Sequence, residues 1–373
     1  MDDKKVLHII SSYDGNKLYK ELLKYLSLTG VKSLIYVPKY SRSVPKEEGV
    51  YRIDKRHNKL QKFFHFGQQK YILKDIIRKI NLLDVKLIHT HRLFFGAYAS
   101  YKLKEIFNIP YVVAIRNSDA NGFYINNIFL RNYVIKVLLS ASKIVFISTV
   151  YKDEFIKNRI PKKYQTEIDI KSCVVHNGID GYFLENVNRS VKAIIKNEIN
   201  LICIGDINKN KNQITIIEAC NMLINNGYGV KLKLIGNIIE PAYFEKFKKS
   251  DFITYCTYCS KEEIINHLRD SDIFVMPSKT ETFGLVYAEA MSQGVPIIYT
   301  RGQGFDGQYR EGEVGYSVRY DDAREIATNI LKIYENYQEI SENCVKHASR
   351  YDWAIIAKKY SDIYAEILNE YLC

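Results

Sequence analysis

Short apolar runs alternate with longer stretches of helical character along almost the whole chain. This alternation constrains the fold more than any other feature. In the first half the runs cover residues 6–10, 33–37, 86–89, 111–115, 144–147 and 172–175. In the second they cover 201–204, 230–235, 252–255, 273–276 and 296–299, with helical segments such as 213–226 and 261–269 between them. Such a pattern predicts parallel sheets covered on both faces by helices, an α/β fold in two successive halves. At 373 residues the chain is long enough for two or three domains. The join falls between Glu185 and Ser190, a stretch that is polar apart from Val187. Near the end, Trp353, Ile356, Tyr360, Ile363 and Ile367 recur at steps of three and four, one apolar face of a helix.

Glu281 and Glu289 stand in an E-x7-E spacing within one strand–helix unit. The run 273–276 precedes them as a buried strand. Residues 283–293 read as a helix, with Gly294 as its terminator. If helical throughout, the eight steps cover about 12 Å and leave the carboxylates within roughly 80° of each other. Two acids so placed suit the two ends of one elongated, hydroxyl-rich ligand. The helix N-terminus between them offers unpaired N–H groups to an anion. A nucleotide-sugar has that layout.

Pro277-Ser278, Glu281-x-Phe283-Gly284, Glu289-Ala290-Met291 and Gly294-x-Pro296 resemble, in order, the donor-site signature of the family-4 glycosyltransferases. The resemblance implies a GT-B fold: two Rossmann-like domains facing a central cleft, with a C-terminal helix crossing back to the first. The corresponding segments are 1–190 for the acceptor, 191–345 for the donor and 346–373 for the returning helix. It also implies retaining transfer from a nucleotide-sugar without an obligatory metal or other cofactor. Residues 204–212 resemble the segment that grips the donor diphosphate: Gly205 follows a strand and Lys211 matches the family's lysine. Asp206 stands where an arginine is usual, and Lys209 and Arg301 are candidates to replace it. By the same resemblance Glu281 binds donor-sugar hydroxyls and Glu289 the ribose. Lys211 and the N–H groups around Phe283, Gly284 and Leu285 stabilise the leaving diphosphate. Gly15 is the one glycine present where relatives carry a pair. Residues 177–180, Asn-Gly-Ile-Asp, match a family turn whose role is either structural or part of the site. The loop 302–305 either approaches a ligand or is an ordinary connection.

On the acceptor side, His89 and His91 resemble a family His-x-His segment, read either as packed residues or as catalytic ones. Arg116 stands where many relatives have histidine. Guanidinium stays protonated and cannot act as a general base. Arg116 therefore binds an anionic acceptor or the transferring group, or forms a loop salt bridge. Asp119 either orients Arg116 or receives the acceptor proton.

Charge is uneven. Residues 1–190 carry a net +16 and the remainder −4. The densest cluster is Arg52, Lys55, Arg56, Lys59 and Lys62, followed by Phe63, Phe64 and Phe66, then Lys70, Lys74, Arg78 and Lys79. Basic side chains beside aromatic ones suit an anionic bilayer or form a solvated surface. No nucleic-acid module accompanies them. The start of the chain reads as a strand and not as a signal peptide, and no apolar run reaches membrane-spanning length. Seven scattered cysteines suit a reducing cytoplasm. Cys256-x-x-Cys259 has no second pair at metal spacing. No G-x-G-x-x-G follows the first strand, which disfavours a dehydrogenase. The sequence is thus read as a cytoplasmic transferase, peripheral at the inner membrane face. Its donor is a nucleotide-sugar and its acceptor a saccharide, lipid-linked or soluble. A non-catalytic nucleotide-sugar-binding subunit is the alternative.

Overall fold

The computed structural model describes residues 5–39, 47–53, 65–116, 119, 130–188 and 198–372. The chain divides into two compact units. One comprises Met1–Asn177 with Trp353–Cys373, the other Gly178–Asp352. The expected cluster at residues 55–64 lies outside the described residues, as do Asn117 and Ser118.

The first unit contains β1 (Lys5–Ile9), α1 (Lys17–Leu28), β2 (Lys32–Val37), β3 (Val50–Arg52), α2 (His65–Lys79), β4 (Val85–Thr90) and α3 (Ala97–Phe107). There follow β5 (Tyr111–Ile115), α4 (Arg131–Ser140), β6 (Lys143–Phe146), α5 (Thr149–Arg159), α6 (Lys162–Ile170) and β7 (Ser172–Val174). The seven strands are parallel, in the order β3-β2-β1-β4-β5-β6-β7. Period-two alternation sends Leu7 and Ile9 into one core and Val6 and Ile10 into the other. Both faces are therefore apolar, and all five residues of β5 are buried.

The second unit contains α7 (Gly181–Glu185), β8 (Glu198–Ile204), α8 (Gln213–Asn225), β9 (Gly229–Ile235), α9 (Pro241–Phe244), β10 (Ile253–Cys256), α10 (Lys261–Asp270) and β11 (Ile273–Val275). It continues with α11 (Leu285–Ser292), β12 (Ile297–Thr300), β13 (Gly315–Val318), α12 (Ala323–Glu335) and α13 (Tyr337–Ala348). Its six strands are parallel, in the order β10-β9-β8-β11-β12-β13. In both sheets the order reverses once, between β1 and β4 and between β8 and β11. In open α/β sheets, ligands bind outside the strand ends at such reversals.

The last helix, α14 (Trp353–Leu372), belongs to the first unit. Trp353, Ile356, Tyr360, Tyr364 and Ile367 enter one of its cores, packed with Val6, Leu22 and Val112. Each large apolar side chain so buried contributes about 1.5–3 kcal/mol. The crossing-back helix expected from the apolar stripe is therefore present.

Two strands escaped the sequence reading. β3 is three residues long and only partly buried. β13 begins at Gly315, which reads as a breaker. A Cβ there would lie 1.8 Å from the Ile297 carbonyl oxygen, so only glycine lets β13 reach β12.

Candidate active site

Two loops meet at the strand ends where the second sheet reverses. The first, residues 205–212, follows β8; the second, residues 276–284, follows β11. They are laced together by side chains that sequence reasoning missed. The Asn210 amide donates to the Thr280 carbonyl (3.0 Å), and its oxygen accepts from the Thr280 N–H (3.1 Å). Asn212 is buried in a left-handed conformation and donates to the carbonyls of Pro277 (3.1 Å) and Tyr320 (2.5 Å). Asn208 accepts from the Lys211 N–H at 2.9 Å.

These ties set Lys211. Its aliphatic stem crosses Gly205, where an added Cβ would lie 3.4 Å from Lys211 Cε. Its Nζ lies 2.6 Å from Glu281 Oε2. Both side chains are mostly buried, at 22% and 13% exposure, so the pair is far less screened than a surface ion pair. Glu281 is held by a third loop as well. Its N–H donates to Gln303 Oε1 (3.0 Å), and its carbonyl accepts from the Gly304 N–H (3.0 Å). A Cβ on Gly304 would sit 1.9 Å from the Thr282 carbonyl oxygen. The loop 302–305 is thus the support on which the Glu281 loop rests, and its glycine serves backbone-to-backbone contact.

The helix starts later than the sequence suggested. It runs from Leu285 to Ser292, not over 283–293, so Glu281 belongs to the preceding loop. The eight-step helical geometry therefore does not relate Glu281 to Glu289. Gly284 is the reason: it adopts φ +76 at the N-cap, and a Cβ there would strike the Tyr287 ring at 2.4 Å. Tyr287 is fully buried and donates its hydroxyl to the Met276 carbonyl (2.6 Å), pinning the first turn to the end of β11. Phe283 is buried against Phe305 and Tyr351. The N–H groups of Leu285 and Val286 precede the first bond of α11, in which the Tyr287 N–H donates to the Gly284 carbonyl at 2.9 Å. The helix ends as expected. Gly294, at φ +75, donates to the Met291 carbonyl and Val295 to that of Ala290.

Glu289, on the second turn of α11, is partly buried. Burial, reinforced by the field of Asp180 and opposed by Lys261, lifts its carboxyl from 4.5 to about 7. Asp180 closes the Asn-Gly-Ile-Asp turn. It caps α7 through the Tyr182 N–H (3.1 Å) and pairs with Lys261 at 2.5 Å. Lys261 is a further group that the sequence reading did not attach to the site, whereas Asp180 comes from the turn that reading left open between a structural and a site role.

The remaining candidates are placed as follows. Asp206 is exposed, and its carbonyl accepts from Gln213. Lys209 faces Glu240 (3.8 Å), and Arg301 pairs with Glu325 (2.5 Å). Both candidates for the missing arginine's role are substantially exposed in these contacts. Gly15 lies exposed after β1 at φ +81. The neighbouring Asp14 binds Arg52 at 2.8 Å, so Arg52, part of the basic cluster, is neutralised by Asp14 and Glu47.

In the first unit, Arg116 follows β5. Its guanidinium reaches the His91 carbonyl (3.4 Å) and Asn177 Oδ1 (3.5 Å). Burial opposes its charge, but Tyr19, Tyr360 and Asp119 outweigh that and hold its pKa above the ordinary arginine value. Asp119 is fully buried. Its Oδ2 accepts from the backbone N–H groups of Arg116 (3.1 Å) and Leu93 (3.3 Å). It thus organises the loop backbone, with its pKa raised chiefly by burial. His8, His89 and His91 are fully buried together, and their nitrogens approach within 4.8 Å of one another. Burial pushes His8 down to about 3 and holds the other two well below the ordinary histidine value, so all three are neutral near pH 7. The rings of His89 and His91 stack at 3.8 Å. His89 also meets the Tyr364 hydroxyl at 2.6 Å. These contacts match the packed reading. Cys256 and Cys259 are free thiols with sulfurs 3.0 Å apart at the end of β10.

A partly buried lysine–glutamate pair beside a helix N-terminus, at the reversal point of a parallel sheet, suits an anionic, hydroxyl-bearing ligand. The family model "Glycosyl transferases group 1" matches residues 185–351, and "Glycosyltransferase Family 4" matches residues 16–181. The chain belongs to glycosyltransferase family 4 and is a sugar transferase. It is 25% identical to the capsular polysaccharide biosynthesis glycosyltransferase CapM of Staphylococcus aureus over 290 residues, 74% of each chain. Its fold is GT-B. The sucrose-phosphate synthase of Thermosynechococcus elongatus aligns with TM-score 0.73 at 15% identity, over 98% of this chain and 100% of that one. Anabaena HepE, solved with UDP and glucose, aligns with TM-score 0.66 at 15% identity, over 97% and 99%.

Proposed function

We propose that the chain transfers a sugar, with retention, from a nucleotide-sugar to a saccharide acceptor carried on a lipid, in the assembly of a bacterial surface polysaccharide. The observation that carries this reading is the Lys211–Glu281 pair beside the start of α11. Lys211 and the opening N–H groups of α11 take up charge developing on the departing diphosphate. Glu281 accepts hydrogen bonds from the sugar and Glu289 from the ribose. Glu281 is held by a cation and by two loops, which suits a hydrogen-bonding role more than a free nucleophile. The reading therefore needs neither a covalent intermediate nor a metal. The polysaccharide context is supported by the likeness to CapM, and the nucleotide donor by the complex of HepE with UDP and glucose. Among the described residues no helix is long and apolar enough to cross a membrane. Access to a lipid-borne acceptor then rests on surface contact by the basic first half, at the inner face of the cell membrane.

The test is a panel of nucleotide-sugars offered with lipid-linked and soluble acceptors, read by release of nucleoside diphosphate and by the anomeric configuration of the product. Release with one donor, retention of configuration, and loss of at least a hundredfold in Glu281→Ala are expected. Inversion of configuration, or an unaffected Glu281→Ala, would overturn the reading.

A further inference from the structure

The second sheet ends on one side in β10, and two thiols bracket the turn that leaves β10 for α10. Cys256 is the last residue of the strand, and Cys259 directly precedes Ser260, the N-cap of the helix. Both cysteines are free, and their sulfurs lie 3.0 Å apart. A disulfide bond spans about 2.05 Å, so roughly 1 Å of sulfur movement separates this pair from a bond.

Backbone contacts on both sides hold the sulfurs face to face. The Cys256 carbonyl accepts from the Gly236 N–H at 3.0 Å, which ties the strand end to the loop after β9. Beyond Cys259, Ser260 and Glu263 form a reciprocal cap. The Ser260 N–H donates to Glu263 Oε2 at 2.7 Å, and Ser260 Oγ accepts from the Glu263 N–H at 3.2 Å. Only Thr257 and Tyr258 stand between the cysteines, and both are exposed, Tyr258 at 81%. Small molecules in solution therefore reach this turn. The two sulfurs differ in access, since Cys256 is partly exposed and Cys259 is buried. Burial, then the contact with Cys256, pushes the Cys259 thiol up to about 11, against the pull of Lys233. Cys203, Cys220 and Cys344 lie buried in the core, where thiols are inert.

We infer that Cys256 and Cys259 form a thiol–disulfide modification site whose reaction partner is a low-molecular-weight disulfide. The accessible Cys256 attacks, as thiolate, one sulfur of that disulfide. A mixed disulfide forms, and one small thiolate leaves and takes up a proton. Cys259 then gives up its proton, attacks the Cys256 sulfur and expels the second small thiolate, which is protonated in turn. Two protein thiols are oxidised to one disulfide, and the small disulfide is reduced to two thiols. Exposed disulfides are the labile ones, so a bond on this turn is readily reversed. It closes two residues before Lys261, which pairs with Asp180 at 2.5 Å, and so forms beside a group that acts on Glu289. The inference does not rest on the sugar-transfer reading.

The experiment is a glutathione titration of the full-length protein. Samples equilibrated at graded ratios of reduced to oxidised glutathione are quenched with acid, labelled with maleimide under denaturing conditions and digested with trypsin. The peptide 250–261 carries both cysteines and no other. From reduced protein it bears two labels. From oxidised protein it is expected to bear none, to be two hydrogens lighter and to carry no glutathione, with conversion following the square of reduced over the first power of oxidised glutathione. Cys259→Ser is expected to stop at the mixed disulfide, with glutathione on Cys256. Cys256→Ser is expected to keep its Cys259 thiol free. Two labels at every ratio, or glutathione that persists on this peptide in wild type, overturns the inference. Glutathione on Cys259 of Cys256→Ser, in a yield equal to that on Cys256 of Cys259→Ser, overturns the order of attack. The wild-type titration alone decides for or against the bond should either serine variant fail to fold by far-UV circular dichroism.

Discussion

Glu289 titrates in a range where both folding and binding can be followed. Burial, then Asp180, lifts its carboxyl from 4.5 to about 7, with Lys261 pulling the other way. In the unfolded chain the group returns to its ordinary value. The folded state therefore holds the proton more tightly, and stability falls as pH rises from about 4.5 through 7. A difference of that size corresponds to about 3 kcal/mol once Glu289 is fully ionised. Its residual solvent contact reduces this to about 2 kcal/mol. Glu289→Gln removes the slope: about 2 kcal/mol more stable than wild type at pH 8, and equal to it near pH 4.5. Urea denaturation of both proteins across pH 5–8 measures this directly. Parallel stability curves over that interval would refute the assigned environment of Glu289.

The same proton reports on ligand. Ribose hydroxyls that donate to Glu289 favour its ionised form. At pH 7 the free protein is about half protonated there, so a nucleoside diphosphate displaces about half a proton on binding. Calorimetry in buffers of different ionisation enthalpy then gives different apparent heats for wild type and equal heats for Glu289→Gln. Buffer-independent heats for wild type would separate Glu289 from the nucleotide site.

Three further changes test the loops. Gly304→Ala forces a Cβ to 1.9 Å from the Thr282 carbonyl and is expected to cost about 1–3 kcal/mol in thermal unfolding and to lower transfer; Gly15→Ala, with open space around it, costs only the strain of its positive φ, about 1 kcal/mol. Asn212→Ala leaves the Pro277 and Tyr320 carbonyls without that donor and puts alanine in a left-handed conformation, for a loss of about 2–3 kcal/mol in denaturant titration. Lys211→Ala strands Glu281 and removes the cation proposed to meet the leaving group; turnover is expected to fall about 10²–10³-fold in a nucleoside diphosphate release assay.

What could be read from the sequence was local. β5 and β12 were legible because burial on both faces makes continuous apolar runs. The stripe of α14 was legible because helical periodicity survives without its partners. The late start of α11 was not, since it depends on Gly284 fitting against the Tyr287 ring. Lys211 and Glu281 were each singled out, but their pairing across 70 residues was not. Asn210 and Asn212 look like ordinary loop residues until Thr280, Pro277 and Tyr320 come alongside. Asp180 and Lys261 stand 81 residues apart, and only folding makes them a pair. The partners of the two candidates to replace the missing arginine, Glu240 and Glu325, are likewise distant from them in sequence.

A site whose two charges are already joined imposes an order of affinities. At 2.6 Å, Lys211 and Glu281 neutralise each other, and both are largely out of water. An anion drawn to Lys211 must compete with Glu281, and parting a buried pair exposes a carboxylate that then lacks its partner. A bare nucleoside diphosphate offers Glu281 nothing in return. A nucleotide-sugar offers hydroxyls that donate to the released carboxylate, so it recovers part of that cost and binds more tightly than the leaving group alone. Glu281→Gln removes the competing charge. It is expected to strengthen binding of nucleoside diphosphate while weakening that of nucleotide-sugar, narrowing the ratio of the two dissociation constants about tenfold, a change of about 1.4 kcal/mol. Titration of both ligands into both proteins decides the matter. If Glu281→Gln weakens the two ligands equally, Glu281 does not hold Lys211 in reserve, and its contribution lies only in shaping the loop.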